Sequence, residues 1–455
     1  MPVWNPNAII DIRSEADIAA IEALGFDALT RANSVYEILA IQAQERPSDA
    51  AVVFIPTADP EGPALRITYA QLFARVTQAA NLFAELSGDA KPVVGILLPS
   101  LPQAHIALWG AAAAGVAVPV NFLLGVEPLA ELFTSAGVTV LVALGPHPVV
   151  DIWSKAQVLA ERVPTIKALV QVTGEAADGV VDFDRAVAAQ PHDALRSARE
   201  FARDDVVAYF HTGGTTGAPK LATHSNRNHL AMAFGVGRSW GFEPGEGVMN
   251  GLPIFHVGGA LCAGLAPLAW GAFMLLVTPA GLRNPEVIRN IWRLTEKHRL
   301  AAIGGVPTSI VAMQQVPLDG ADISSVRMAI TGGSPTPPGP AEAFEARFGV
   351  GIHQVYGMTE TAGNGVVGPR HAPRVAGSAG LRTAFTELRT VRLGANGPTD
   401  EDCEPGEAGL LLVRGPTTTP GYTDPARDAE VLLADGWLST GDLARIDPDG
   451  RVWVT

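Results

Sequence analysis

Between residue 34 and about residue 331, short apolar runs of strand length alternate with segments of helical pattern, and no other feature restricts the fold as much. Apolar runs stand at 50–55, 93–98, 117–120, 137–143, 206–210, 247–252, 272–277, 301–304 and 328–331. Helical patterns fall at 35–44, from Thr68 onward, and at 104–114, 226–234 and 260–268. Near-continuous apolar strands joined through helices predict an α/β fold. Its parallel-type sheets are covered by helices, and its ligands lie beyond the carboxyl ends of the strands. The stretches 92–126 and 247–282 contain no Asp, Glu, Lys or Arg and are long enough to raise the question of a membrane span. Pro99, Pro102, Gln103, Pro119 and Asn121 interrupt the first, and Pro253, His256 and Pro267 the second, so both read as buried strand and helix units. Beyond about residue 369 the texture changes to short alternating segments, 386–393, 409–414 and 451–454, between Gly/Pro/Asp turns. That portion predicts a small β-barrel or rolled sheet.

A chain of 455 residues, 47% hydrophobic, exceeds one compact domain of ordinary size. The expected division is an accessory lead-in at 1–33, α/β subdomains at 34–200 and 201–368, and the β subdomain at 369–455. A formal net charge of −14 without a Lys/Arg cluster argues against a nucleic-acid partner, so any anionic ligand must find its positive charge locally. The two cysteines, Cys262 and Cys403, have no metal-like spacing and fit a reducing cytoplasm. No export signal opens the chain, and a homo-oligomer is left open.

The strand at 206–210 runs into Thr212, Gly213, Gly214, Thr215, Thr216, Gly217 and Lys220. Backbone N–H groups freed by three glycines, three hydroxyls and one cation make a polyphosphate clamp. The common P-loop is excluded, because Ala218 and Pro219 separate Gly217 from Lys220 and Leu221 follows it. Three further clusters close other elements. Gln354, Tyr356, Gly357, Thr359 and Glu360 offer a flat ring, a hydroxyl and a carboxylate for a metal. Gly332, Gly333, Ser334 and Pro335 leave backbone bare for a base edge, and Asp442 follows a tight turn where it can accept from ribose hydroxyls. Gly363, Gly365 and Gly368 match a dinucleotide fingerprint in spacing, but Pro369 and Arg370 follow instead of a helix, so a nicotinamide site is rejected.

Together these clusters resemble the adenylate-forming superfamily, which includes acyl-CoA synthetases, adenylation domains of peptide synthetases and luciferases. The resemblance runs in order through 212–220, 253–259, 332–335, 356–360, 409–422 and 439–442. Leu221 and Leu410 depart from the usual Gly and Gly-Glu, and neither change removes a donor. The resemblance implies ATP and Mg²⁺ as cofactors, with CoA as co-substrate and a carboxylic acid as substrate. It implies that Thr212, Thr215, Thr216 and Lys220 hold the β- and γ-phosphates, that Thr216 and Glu360 hold Mg²⁺, and that Thr359 meets the α-phosphate. Gly333, Ser334 and Tyr356 would border adenine and Asp442 the ribose, while His256 would line the acyl channel near the carboxylate.

An acyl-CoA synthetase for a medium- or long-chain fatty acid or an aryl acid is therefore expected. A ligase loading a carrier protein, or a silent nucleotide-binding homologue, is the alternative. In the family an Asp next to the Phe of the 253–259 motif pairs an amino acid's ammonium, and here His256 stands there. A Trp blocks the channel of acetate-specific relatives, and here Gly357 leaves it open. The end of the chain, 449–455, resembles the strand before the family's hinge, so the small mobile C-terminal domain is expected to be missing and this length alone to be nearly inactive.

Overall fold

The computed structural model describes residues 2–197, 199–212, 220–394 and 397–455. Three sheets organise them. The first has seven strands in the order Val181–Asp182, Ala168–Val172, Val140–Leu144, Val93–Leu97, Val116–Pro119, Val206–Thr212, Lys220–Ser225. All of its neighbours are parallel except the last pair, an antiparallel return in which Thr212 faces Lys220.

The second sheet has nine strands: Leu381–Arg382, Val366–Val367, Ile352–Tyr356, Met328–Gly332, Leu300–Gly305, Gly247–Asn250, Phe273–Val277, Ala50–Ile55, Leu65–Thr68. Its six central strands are parallel and its margins antiparallel. The sheets do not succeed one another along the chain. Residues 50–68 join the second sheet, and the strands around the phosphate loop join the first. A division at residue 200 thus follows chain order and not sheet membership.

The final portion is an open five-stranded antiparallel sheet and not a closed barrel among the described residues, in the order Gly397–Asp402, Glu387–Gly394, Gly409–Arg414, Leu438–Ile446, Val452–Val454. Physical reasons for the open form are visible at both margins. The strand 397–402 carries Pro398, Asp400, Glu401 and Asp402, which blunt an edge. At the other margin Val452 bridges to Gly380 and so attaches this sheet to the nine-stranded one.

Helices cover both large sheets, as their apolar strands require. Tyr69–Ser87 and Pro102–Ala114 pack together, the latter over the first sheet and the former touching both sheets, with Thr68 capping the former and Gln71 reaching back. Ser225 caps Asn226–Trp240, a helix buried along almost its whole length. The expected helix at 260–268 is instead an eight-residue π-helix, Gly258–Leu265, followed by a short α-turn, Ala266–Ala269. Gly259 permits that entry, since a Cβ there would lie 2.3 Å from the Pro253 carbonyl oxygen.

The lead-in is tied down at several points. Trp4 is buried and its Nε1–H donates to the Ala269 carbonyl at 3.1 Å. Arg382 pairs with Glu15 at 2.8 Å and with Glu22 at 3.1 Å, and Arg238 pairs with Asp11 at 2.9 Å. Among the described residues no helix is long and apolar enough to cross a membrane.

Candidate active site

Strand ends deliver most of the candidate residues to one region. Gly213, Gly214, Thr215, Thr216 and Gly217 lie outside the described residues, but both flanks of their loop are in place: Thr212 ends one strand and Lys220 opens the next. The Lys220 ammonium pairs with Glu430 and lies 5.4 Å from the centroid of the Tyr422 ring. The Tyr422 hydroxyl donates to Glu360 Oε1 at 2.6 Å. Lys220 and Glu360, 140 positions apart in the chain, are therefore linked through one aromatic side chain. Burial, and then the hydrogen bond to Glu360, push the Tyr422 phenol far up, so it stays protonated and donating.

Glu360 sits in the 3₁₀ turn Thr359–Thr361 and is buried, 5% exposed. Its carbonyl accepts from the Thr419 N–H at 2.7 Å, and the Thr359 carbonyl is 2.8 Å from His224 Nε2. A buried carboxylate needs donors around it, and the segment 419–422 supplies two, to its backbone and to its side chain.

Strand alternation sorts the cluster at 354–357 into two faces. Gln354 and Tyr356 point to one side, where Tyr356 Oη donates to Asp442 Oδ2 at 2.7 Å. Burial pushes the Tyr356 phenol up, with a further push from the Asp442 carboxylate. Asp442 is exposed and its N–H donates to Thr440 Oγ1 at 3.1 Å. Gln354 is set apart from this group, with its amide donating to the Ser378 carbonyl at 3.2 Å.

Val355 and Gly357 point to the other side, into a cavity of about 260 Å³. Its wall includes Met249, Val257, Cys262, Ile303, Gly332 and Gly333, and no Asp, Glu, Lys or Arg among the described residues. Ser334 and Pro335 follow as exposed residues beyond it. Gly357 and Gly363 both line this wall and bracket the turn that holds Thr359 and Glu360, so the apolar cavity ends against the polar cluster. Close approach requires Gly357 itself, because a Cβ there would lie 2.4 Å from the Asn364 nitrogen.

His256 stands on the cavity wall. Its Nδ1 accepts the Gly258 N–H at 3.1 Å, which leaves the other ring nitrogen to carry the proton. The ring keeps accessible surface through the cavity but is crowded by protein atoms, and that desolvation lowers its pKa. The His211 ring packs on Phe255, next to His256 in the chain, at 5.9 Å between the His211 and Phe255 centroids, and His211 accepts the Asn121 N–H at 2.9 Å. Cys262 donates to the Gly363 carbonyl at 3.5 Å, and burial pushes its thiol up to about 12, which makes it part of the wall and no nucleophile.

Sequence reasoning named Lys220, Glu360, Tyr356, Asp442 and His256 but missed Tyr422, Glu430, His224 and His211. Tyr422 ends one of the ordered motif matches and could have been found there. His211 directly precedes Thr212 in the phosphate-loop stretch and was passed over, while Glu430 and His224 carry no local signal, since their partners lie up to 210 positions away.

The sequence matches the family of AMP-binding enzymes over residues 39–423. It is similar to marinolic acid–CoA ligase of a Pseudoalteromonas strain, 29% identical over 98% of this chain and 68% of that protein. It is also similar to feruloyl-CoA synthase of an Amycolatopsis species, 31% identical over 85% of this chain and 73% of that protein. Among solved structures, the anthranilate-CoA ligase AuaEII in complex with anthranoyl-AMP superposes with a TM-score of 0.81 at 21% identity, covering 92% of this chain and 77% of that one. The inhibitor-bound N-terminal domain of FACL13 from Mycobacterium tuberculosis gives 0.78 at 25%, covering 93% of this chain and 99% of that one. With most of its length matched and this fold, the chain belongs to the family of AMP-binding enzymes.

Proposed function

We propose that the protein is an ATP-dependent acyl-CoA synthetase that activates an uncharged, mostly apolar carboxylic acid as its acyl-adenylate. The observation that carries this reading is the junction of an apolar cavity, free of charged side chains among the described residues, with the cluster of Lys220, Thr359 and Glu360. The relatives' names, feruloyl-CoA synthase and long-chain-fatty-acid–CoA ligase, support the same substrate class.

In this reading the acid's tail fills the cavity and its carboxylate emerges beside Gly357. A carboxylate oxygen attacks the α-phosphorus of ATP, a P–O bond forms, and the bond to pyrophosphate breaks. No general base is required, because the nucleophile is already an anion. What the step needs is charge stabilisation. Lys220, with the hydroxyls of Thr212, Thr215 and Thr216, would hold the β- and γ-phosphates, and Thr359 the α-phosphate. Gly332, Gly333, Ser334, Pro335 and Tyr356 would border adenine, with Asp442 on the ribose. Mg²⁺ binds through one or two carboxylates plus phosphate oxygens, and the buried Glu360 is the carboxylate suited to it, together with Thr216; the ion would neutralise charge on the phosphates. A thiol, that of CoA, then takes the acyl group and releases AMP.

The test is pyrophosphate release by the complete protein across a series of acids, with acyl-CoA followed separately. Medium-chain, long-chain or aryl acids are expected to exceed acetate, free amino acids and dicarboxylates in kcat/KM. A best substrate from the latter group would overturn the substrate class. Pyrophosphate release with acyl transfer only to a carrier protein would replace CoA as the acceptor.

A further inference from the structure

A pair of histidines that the reaction does not call upon lies fully buried behind the Glu360 turn. His224 sits on the strand Lys220–Ser225, four residues after Lys220, and His229 sits one turn into the helix that follows. Both are 0% exposed. Their rings are edge to face, with His224 Nδ1 3.2 Å from His229 Nε2, and Phe210 and Trp109 close the pocket around them. His224 Nε2 lies 2.8 Å from the carbonyl oxygen of Thr359.

The partners settle the proton positions. A carbonyl oxygen only accepts, so His224 Nε2 carries a hydrogen, its Nδ1 is the acceptor, and His229 donates from Nε2. His229 Nδ1 is then a bare lone pair, and it has no hydrogen-bond partner. A buried pair with an unpaired acceptor at its far end runs in one direction and terminates on the Thr359 carbonyl.

We propose that His224 is a positioning residue of the nucleotide site: its Nε2–H holds the Thr359 carbonyl and so sets the turn that presents Glu360. Three donors then fix that turn. His224 holds the carbonyl before Glu360, the Thr419 N–H holds the carbonyl of Glu360 itself, and Tyr422 Oη holds its carboxylate. Only His224 belongs to the strand that begins with Lys220, so it ties the cationic side of the cluster to the anionic side. Packing alone does not need an imidazole there, since a Leu of similar size would fill the pocket; what it would lose are the donor to the Thr359 carbonyl and the acceptor for His229 Nε2–H.

The inference rests on the reading of Glu360 as the group presented to MgATP, and the test separates the two. In the complete protein, KM for MgATP and kcat for pyrophosphate release are measured for His224→Gln, His224→Asn, His224→Leu and Glu360→Gln. Metal-free AMP binding serves as the check that the pocket is folded. His224→Gln places an N–H near the same carbonyl and is expected to keep KM within about threefold. Asn is one methylene shorter and Leu has no donor; both are expected to raise KM for MgATP about tenfold or more with AMP binding retained. A merely structural His224 would rank the variants by packing, and Leu performing as well as Gln overturns the proposal. Should the Leu variant fail to fold, Gln and Asn, which differ in reach alone, decide the matter: equal KM values overturn it. If Glu360→Gln leaves KM unchanged, the reading of Glu360 fails; if it raises KM while the Asn and Leu variants do not, the role of His224 alone fails.

Discussion

The buried imidazoles make the stability of the protein acid-sensitive in a window that can be worked out. His105, on the helix Pro102–Ala114, is 1% exposed with its Nδ1 unpaired, and burial pushes its pKa down to about 4. His224 is pushed down to about 4 by the same cause, and His229 also lies well below the ordinary value. In the unfolded chain each titrates near about 6.5. As the pH falls between these values the unfolded state takes up protons that the native state refuses, so stability falls with pH. The contribution is fully present above about pH 6.5 and lost on approach to about pH 4. At pH 5.0 each of the first two has lost about 2 kcal/mol relative to pH 7.5, a combined loss of about 4 kcal/mol. That is a large part of a typical total stability. The assay is urea unfolding followed by tryptophan fluorescence at both pH values, for the parent and for His105→Gln. Gln cannot take up a proton, so the gap in midpoints between the two pH values should shrink by the share of one imidazole. Equal gaps for parent and variant would refute the assignment of His105 as a buried neutral base.

Lys220→Ala and Glu360→Ala should each lower pyrophosphate release by about tenfold to a thousandfold, because each removes a charge that the proposed reading gives to the phosphates or their metal; an unchanged rate in both sinks the site. Glu430→Gln removes the carboxylate that pairs with Lys220 and should tighten MgATP binding several-fold in a calorimetric titration, whereas weaker binding would show that Glu430 helps the nucleotide. Gly357→Ala drives a methyl to 2.4 Å from the Asn364 nitrogen and should cost about 1–3 kcal/mol in thermal stability. It should also raise KM for the acid, and normal values for both quantities would show that the turn at 363–364 yields freely.

Strands were legible where they are buried on both faces, because such strands are written as unbroken apolar runs: 206–210 and 272–277 became Val206–Thr212 and Phe273–Val277. Lys220–Ser225 was not, since Lys, Thr, His and Ser dilute its pattern and its pairing depends on a hairpin. Periodicity marks a strand but does not say which sheet it enters, and for that reason the interleaving of residues 50–68 with 247–382 could not be read. The same limit applied to the end of the chain, where short alternating strands suggested closure. Closure depends on edges, and Asp400, Glu401 and Asp402 line one of them. At the site, the residues that the sequence proposed all lie inside dense motifs. His224 and Glu430 were not found, because their meaning comes from Thr359 and Lys220, brought together only by folding.

Two of the groups assigned to the nucleotide share one property that bears on how it would bind. Each already has a protein partner with the chemistry of the ligand group it would meet. Lys220 pairs with an anion, Glu430, where the reading gives it phosphate oxygens. Asp442 accepts from a hydroxyl, that of Tyr356, where the reading gives it ribose hydroxyls. Glu360 differs, since it accepts from the Tyr422 hydroxyl where the reading gives it a metal ion. At Lys220 and Asp442 binding would exchange like for like, so the net gain at those two contacts is smaller than the contact itself suggests. The same pairings hold the side chains in place, and the entropy of ordering them is already spent in folding. Selectivity would then come from what no internal partner imitates: the flat base against the bare glycines at 332–333 and the apolar tail in the cavity beneath them.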